Sequence, residues 1–403
     1  MAHPLPEQSD NLLADIRSSS RSIRERAGIT IRPESIQRLL QSPSFLTSFQ
    51  RVSTQHGLTL PLNFSSPLDE LNVISLVSIL NFGSGYRVPL HAETQRGAWD
   101  NIRLLILSMY IGSTGGSEDD LLSAKGMQQL TESKVAELMR INVYIEKPHK
   151  QIPGVTLGEL GGPLYELVKL ISGVLVQTGE LLEKAGYPSL GSFVLEALKE
   201  AARKSKLKHI SNVQVFLDRL IRFFPAFQDS CVIDGRPVYL FKKALFLAHA
   251  ITIRFGSLTS PPFPIPDTSQ LPVFSDNVLP SLLVHLGVIE LSSSSLFQSI
   301  FAEAGFEQKV IALLAEPTSE TYVDKATLPT EGPCLTTDKA CILRAAAVDA
   351  CEMIIEHAHE TDEPEWLKDI RLPELDMWLW SVAKDRADYR KLERFVLRDT
   401  VFF

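Results

Sequence analysis

Three short stretches place charge where the surrounding sequence is apolar, and buried charge is rare enough to need a reason. The first is VFSDNVLPSLLVHLGVI, residues 273–289, where the single carboxylate of Asp276 stands just before a Leu-rich helix bearing a proline. As a helix cap, Asp276 would accept backbone N–H groups. Turned into a pocket, it would stabilise a cationic transition state or activate water. The second stretch is YLFKKALFLAHAITI, apolar nearly all round, whose only formal charges are Lys242 and Lys243. Neighbours on a helix point about 100° apart, so at least one of the two looks inward. Lys242 and His249 are seven residues apart and share a face. The lysines either snorkel at an edge, or one is a cation that holds an anionic substrate or pairs with a buried acid. The third stretch is LPELDMWLW, where Pro373 fits a first helical turn and Asp376 is expected in the dipole-favoured N-terminal turn. With Leu375, Met377, Trp378, Leu379 and Trp380 around it, Asp376 belongs to a solvent stripe or to a pocket walled by aromatics.

Other motifs carry weaker signals. Asn81 and Phe82 open NFGSGYR, whose glycines resemble a phosphate loop. No G-K-[ST] follows and no strand precedes, so a helix ending in a Gly-rich turn explains it more simply. Trp99 in RGAWDNIR has the flat face that stacks on a base, but a helical Trp is core more often than not. Arg344 and Glu352, eight apart on one helix, are expected to form ion pairs within the bundle. His357, His359 and Glu360 lack the i, i+4 spacing of a metal site, so no metal is assigned. The four cysteines, Cys231, Cys334, Cys341 and Cys351, form no C-x-x-C pair and are expected to be reduced, buried thiols.

These residues must be positioned by helices. Apolar spacing at helical period recurs in 32–49, 66–83, 96–112, 131–144, 163–186, 191–206, 211–224, 238–256, 339–358 and 372–395, whereas strand-like alternation is confined to one hairpin expected around Asp234-Gly235. The fold class is therefore all-α. The first ten residues are polar and expected to be disordered. The Gly- and Pro-bearing bend at 150–162 suggests a boundary between an N-terminal helical region, 1–150, which contributes to the pocket, and a C-terminal domain, 151–403. A chain of 403 residues with formal net charge −8 and pI near 5.7 is poorly suited to grip nucleic acid, where affinity comes from Lys and Arg on phosphates. A small anionic ligand needs only one or two cations. No stretch approaches the roughly 20 apolar residues of a membrane span, no secretory leader is evident, and a cytoplasmic location is expected.

Taken in order, several segments together resemble the queuosine salvage family of queuosine 5′-phosphate N-glycosylase/hydrolases. They are LNF at 80–82 with GAW at 97–99, PLYELVKLISGVLVQTGELLEKAGYPSLGSF at 163–193, and FPAFQD at 224–229 with VYLFKKA at 238–244. FSDNVLPSLLVHLGVI at 274–289, ILRAAAVDACEMI at 342–354, and LPELDMWLW at 372–380 with the terminal TVFF complete the set. The resemblance runs from about residue 70 to the end and rests on the ordered set rather than on one diagnostic motif. It implies a helical fold similar to helix-hairpin-helix DNA glycosylases, with extra covering helices. It also implies hydrolysis of queuosine 5′-monophosphate to queuine and ribose 5-phosphate, without a cofactor or metal. Asp276 then matches the catalytic acid and Lys242 the lysine of the preceding helix. Asp376, Asn81, Phe82, Trp99 and Lys243 match substrate-binding positions. Where many members carry aromatics after Phe82, this chain has GSGYR. A base-excision DNA glycosylase and a non-enzymatic helical scaffold are the competing classes.

Overall fold

The computed structural model describes Leu5, Leu58 and residues 11–53, 61–113, 120–208, 211–316 and 328–403. The expected disorder of the first ten residues thus falls, apart from Leu5, outside the described residues. Helix accounts for 60% of the structure and strand for 8%, so the protein is mostly helical. Short strands pair two by two instead of forming a core sheet. The expected hairpin is present: Ser230–Ile233 pairs antiparallel with Arg236–Tyr239. Its turn residues Asp234 and Gly235 both have positive φ, 49° and 75°, as a two-residue primed turn requires. Three further pairings were not expected from the sequence. Thr30–Ile31 joins Ile289–Glu290, and Glu331–Cys334 joins Arg394–Val396 in parallel; both link distant segments and leave no local signature. The third, Tyr144–Pro148 with Thr156–Leu160, closes around the Gly/Pro bend that suggested a boundary near residue 150.

By their contacts the residues separate into two units. One comprises 1–62 and 198–397, and the other 63–197 with 398–403.

In the larger unit, the stretch expected as a single helix over 32–49 is two helices, Pro33–Leu40 and Pro43–Val52. Pro43 cannot donate the N–H that a continuous helix needs, and Ser42 caps the second helix by accepting the Phe45 N–H at 3.2 Å. The 24-residue helix Thr337–Glu360 is buried along most of its length. The N-terminal helix Leu12–Arg26 lies against it through charge: Arg21 and Arg24 both reach Asp349, at 3.0 and 2.7 Å, and Arg17 reaches Glu352 at 2.6 Å. Trp378 anchors the aromatic core, fully buried against Phe45 with ring centroids 4.8 Å apart. Its indole N–H donates to Ser48 Oγ at 2.8 Å.

The smaller unit centres on Gly162–Lys184, a 23-residue helix. Gly179 is where the short helix Ala124–Gln128 crosses it, and an added Cβ there would stand 2.5 Å from the Ala124 carbonyl oxygen. The helix Pro67–Ile79 is capped by Ser66, which accepts the Asp69 N–H at 3.2 Å. It is buried from Leu71 to Ile79, as a core helix should be, and no single helix among the described residues is long and apolar enough to cross a membrane.

Candidate active site

Asp276 stands two residues before the helix Val278–His285, all eight residues of which are buried. That helix stops at Gly287, whose φ of +72° allows the Val288 N–H to turn back to the Leu283 carbonyl at 2.9 Å. The Asp276 side chain is itself buried, at 5% exposure. Its Oδ1 accepts the Val278 N–H at 2.6 Å; the N-cap is Asn277, which makes no side-chain cap bond, so Asp276 closes a short turn into the helix and is not the cap expected from the sequence. Its Oδ2 lies 3.9 Å from Lys242 Nζ, so the same carboxylate also takes part in a buried charge cluster.

Lys242 begins the helix Lys242–Phe255. Phe241 before it is in the left-handed region, with φ 48°. At 4% and 0% exposure, Lys242 and Lys243 are enclosed, which rules out snorkelling. Burial lowers the pKa of Lys242, against the opposing pull of Asp276. Burial, followed by the charge of Lys242, pushes Lys243 well below the ordinary lysine range.

Asp376 sits in the helix Leu372–Asp385. It is the fifth residue of that helix, so the acid of the first turn is Glu374, whose Oε2 accepts the Arg371 N–H at 3.0 Å. Asp376 is therefore not there to serve the helix dipole. It is buried at 5% exposure, and its Oδ1 accepts the Phe274 N–H at 2.7 Å. Burial raises its pKa to about 7; the Phe274 bond opposes the rise, the charge of Asp276 adds to it, and Lys242 opposes it. Phe274, two residues before Asp276, lies beside His249 with ring centroids 5.3 Å apart. Asp276, Lys242 and Asp376, read from three separate stretches, thus converge on one place.

Three further residues of the cluster, Asp229, Arg344 and Arg394, were missed or undervalued. Asp229, at the end of FPAFQD, is buried and receives a two-pronged bond from Arg344, Nη1 to Oδ1 at 2.9 Å and Nη2 to Oδ2 at 2.6 Å. Arg344 does form the expected ion pair, as does Glu352 with Arg17, but each partner comes from another segment of the chain. Arg394 also faces Asp276 electrostatically; burial lowers its pKa to about 10, and Asp276 opposes that fall. A lone charge in an amphipathic stretch gives no hint of a partner 115 residues away.

The remaining candidates, Asn81, Phe82 and Trp99, belong to the smaller unit. Phe82 and Trp99 are part of its core, at 3% and 8% exposure. Gly83, with φ +95°, is the N-cap of the 3₁₀ turn Ser84–Tyr86, whereas the Pro67–Ile79 helix already ends at Leu80, so the Gly-rich segment opens the next turn and does not end the helix as expected. One expectation about cysteine is corrected. Cys231 and Cys341 are joined as a disulfide, Cys334 is exposed, and only Cys351 is a buried thiol. The hairpin holding Cys231 folds onto the helix holding Cys341, a proximity that sequence spacing does not reveal.

Fold and cluster together define a mostly helical protein with a buried carboxylate–lysine centre. Residues 182–309, about a third of the chain, match the family model described as queuosine salvage protein. The match contains Asp229, Lys242, Lys243 and Asp276. No curated protein matches the chain.

Proposed function

We propose that this protein hydrolyses the N-glycosidic bond of queuosine 5′-monophosphate, releasing queuine and ribose 5-phosphate. The observation that carries the proposal is the buried Asp276 carboxylate, 3.9 Å from Lys242 Nζ and electrostatically coupled to Asp376, within a segment of the queuosine salvage family. Breaking a glycosidic bond leaves positive charge on the sugar while the base departs with the bonding electrons. A carboxylate in a low-dielectric site opposes that charge far more strongly than it would in water. Asp276 takes this role and orients the attacking water, whose oxygen bonds to C1′ while one proton leaves with the base. Its place beside a helix start, locked by the Val278 N–H, holds the carboxylate without reorganisation during the reaction.

Lys242 is the cation for the substrate's anionic part and for Asp276. Asp376, ionised, accepts the N1–H and exocyclic amine of the deazaguanine together. Lys243, adjacent to Lys242, is a further proposed substrate contact; Asn81, Phe82 and Trp99 belong to the smaller unit and are given no part in this site. The reading brings with it a glycosylase-like helical fold, a mononucleotide substrate rather than a nucleic-acid partner, and a cytoplasmic setting; it needs no metal or cofactor. Placing several ionisable groups out of water is costly unless they serve a purpose, and such clusters are enriched at catalytic sites.

The decisive experiment mixes the purified protein with queuosine 5′-monophosphate, and separately with the nucleoside, and separates the products by chromatography. Queuine release from the nucleotide is expected, with loss of about a hundredfold or more in Asp276→Asn at unchanged folding. Turnover equal to wild type in that variant removes Asp276 from the mechanism. Binding of the nucleotide with no queuine released by the wild-type protein would favour a non-enzymatic scaffold.

A further inference from the structure

We propose that the buried Asp229–Arg344 pair is a positioning device that holds Lys242 and Asp276 in register. The proposal rests on the hydrolase reading for what the register is used for, but its geometry stands apart from that reading. Asp229 and Arg344 are 3% and 2% exposed. A bidentate pair so deeply buried is weak evidence for stability, because apolar residues of similar volume often serve as well. Its bonds show a more specific use.

On one side, Asp229 controls how the chain enters the Lys242 helix. Its carbonyl accepts the N–H groups of Leu240 and Phe241, each at 3.0 Å. Its Oδ2 accepts the N–H of Lys242 at 3.1 Å. One residue thus binds three consecutive donors, at a helix start whose own preceding residue, Phe241, makes no side-chain cap bond. On the other side, Arg344 Nε donates to the Ser275 carbonyl at 2.9 Å, and Ser275 Oγ donates to the Arg344 carbonyl at 2.9 Å. This reciprocal pair fixes the residue next to Asp276. The path Lys242–Asp229–Arg344–Ser275–Asp276 is then closed by the 3.9 Å approach of Lys242 to Asp276. The Cys231–Cys341 disulfide joins the same two elements, two residues after Asp229 and three before Arg344.

Misplacement of a reacting group by about 1 Å costs roughly a hundredfold in rate, so this is the loss in kcat expected for Asp229→Asn and Arg344→Met, with KM little changed. Arg344→Lys, which keeps the charge but cannot supply three directed donors, is expected to fall between these variants and wild type, and it serves if the stronger variants fail to fold. A second readout needs no substrate. The groups acting on Lys242 are Asp276, Arg344, Asp229 and Asp376, with Lys243 next to it in sequence. Asp229 raises the Lys242 pKa and Arg344 lowers it. In protein labelled with 13C at lysine Cε, with the signal assigned by its loss in Lys242→Arg, Asp229→Asn is expected to lower the Lys242 titration midpoint and Arg344→Met to raise it. A merely structural loosening has no cause to move the two in opposite directions. Shifts in the same direction, or folded variants with wild-type kcat, overturn the proposal. If the wild-type protein releases no queuine, the hydrolase reading fails, while the lysine titration still decides whether the pair acts on Lys242.

Discussion

Asp376 holds its proton in the folded protein up to about pH 7, whereas its ordinary value is 3.8. Between those two values the folded chain binds more protons than the unfolded one, so this residue's contribution to stability falls as pH rises. Urea unfolding at pH 5 and pH 7.5 is expected to show that loss, and Asp376→Asn, which does not ionise, is expected to flatten it. Equal pH dependence in both proteins would assign the trend to other groups. The same midpoint governs binding. As an ionised acceptor for the base, Asp376 should make KM for queuosine 5′-monophosphate fall as pH passes upward through about 7, and a KM independent of pH across that range contradicts the role. The charge types and sharp isolation of Asp276, Lys242 and Asp376 were legible in the sequence. Asp229 was legible only as part of a family motif, because nothing near it in the chain marks it as the partner of Arg344.

Between elements, charge and packing divide the work. The N-terminal helix meets the Thr337–Glu360 helix through two arginines on the 2%-exposed carboxylate of Asp349. Asp349→Ala leaves the mostly buried Arg24 with only the exposed Glu25 carboxylate at 3.1 Å and is expected to lower stability by about 3 kcal/mol, read from urea midpoints. Trp378→Ala removes the centre of the aromatic core and the bond to Ser48 together, with an expected loss of about 4 kcal/mol. Measured losses under about 1 kcal/mol would show that neither contact carries its element. Helix existence was readable from apolar period, and the Asp234-Gly235 hairpin from its turn residues. The break before Pro43 was also available in the sequence, since a proline marks a helix start as readily as an interior position. The strand pairs joining Thr30 to Glu290 and Glu331 to Arg394 were not available, because no local pattern encodes a partner so far along the chain.

At the scale of the whole chain, net charge −8 opposes a phosphate-binding surface of the kind long nucleic acid requires. The protein is expected to pass unretained through immobilised duplex DNA at low salt; retention that weakens steeply with added salt would revive the DNA glycosylase alternative. The last six residues return to the smaller unit, where the Phe403 carbonyl accepts the Gly83 N–H at 3.1 Å and the Phe403 side chain is 3% exposed. Deleting 398–403 is expected to destabilise that unit by about 2 kcal/mol from the lost aromatic burial alone, visible as a lower thermal midpoint. A linear reading placed a boundary near residue 150, at a bend that turns out to be the tip of a hairpin. A bend rich in Gly and Pro marks a change of direction, whether or not a unit ends there.

The sequence by itself determined the helical class, the acidic character and the few places where charge interrupts an apolar run, since composition and period act over neighbouring residues. Only the tertiary structure decided which charges meet. Asp276, Lys242 and Asp376 come together, and Asp229 joins Arg344, because burying the apolar faces of the surrounding helices leaves these side chains no water to turn to and brings them to one another and to nearby backbone groups.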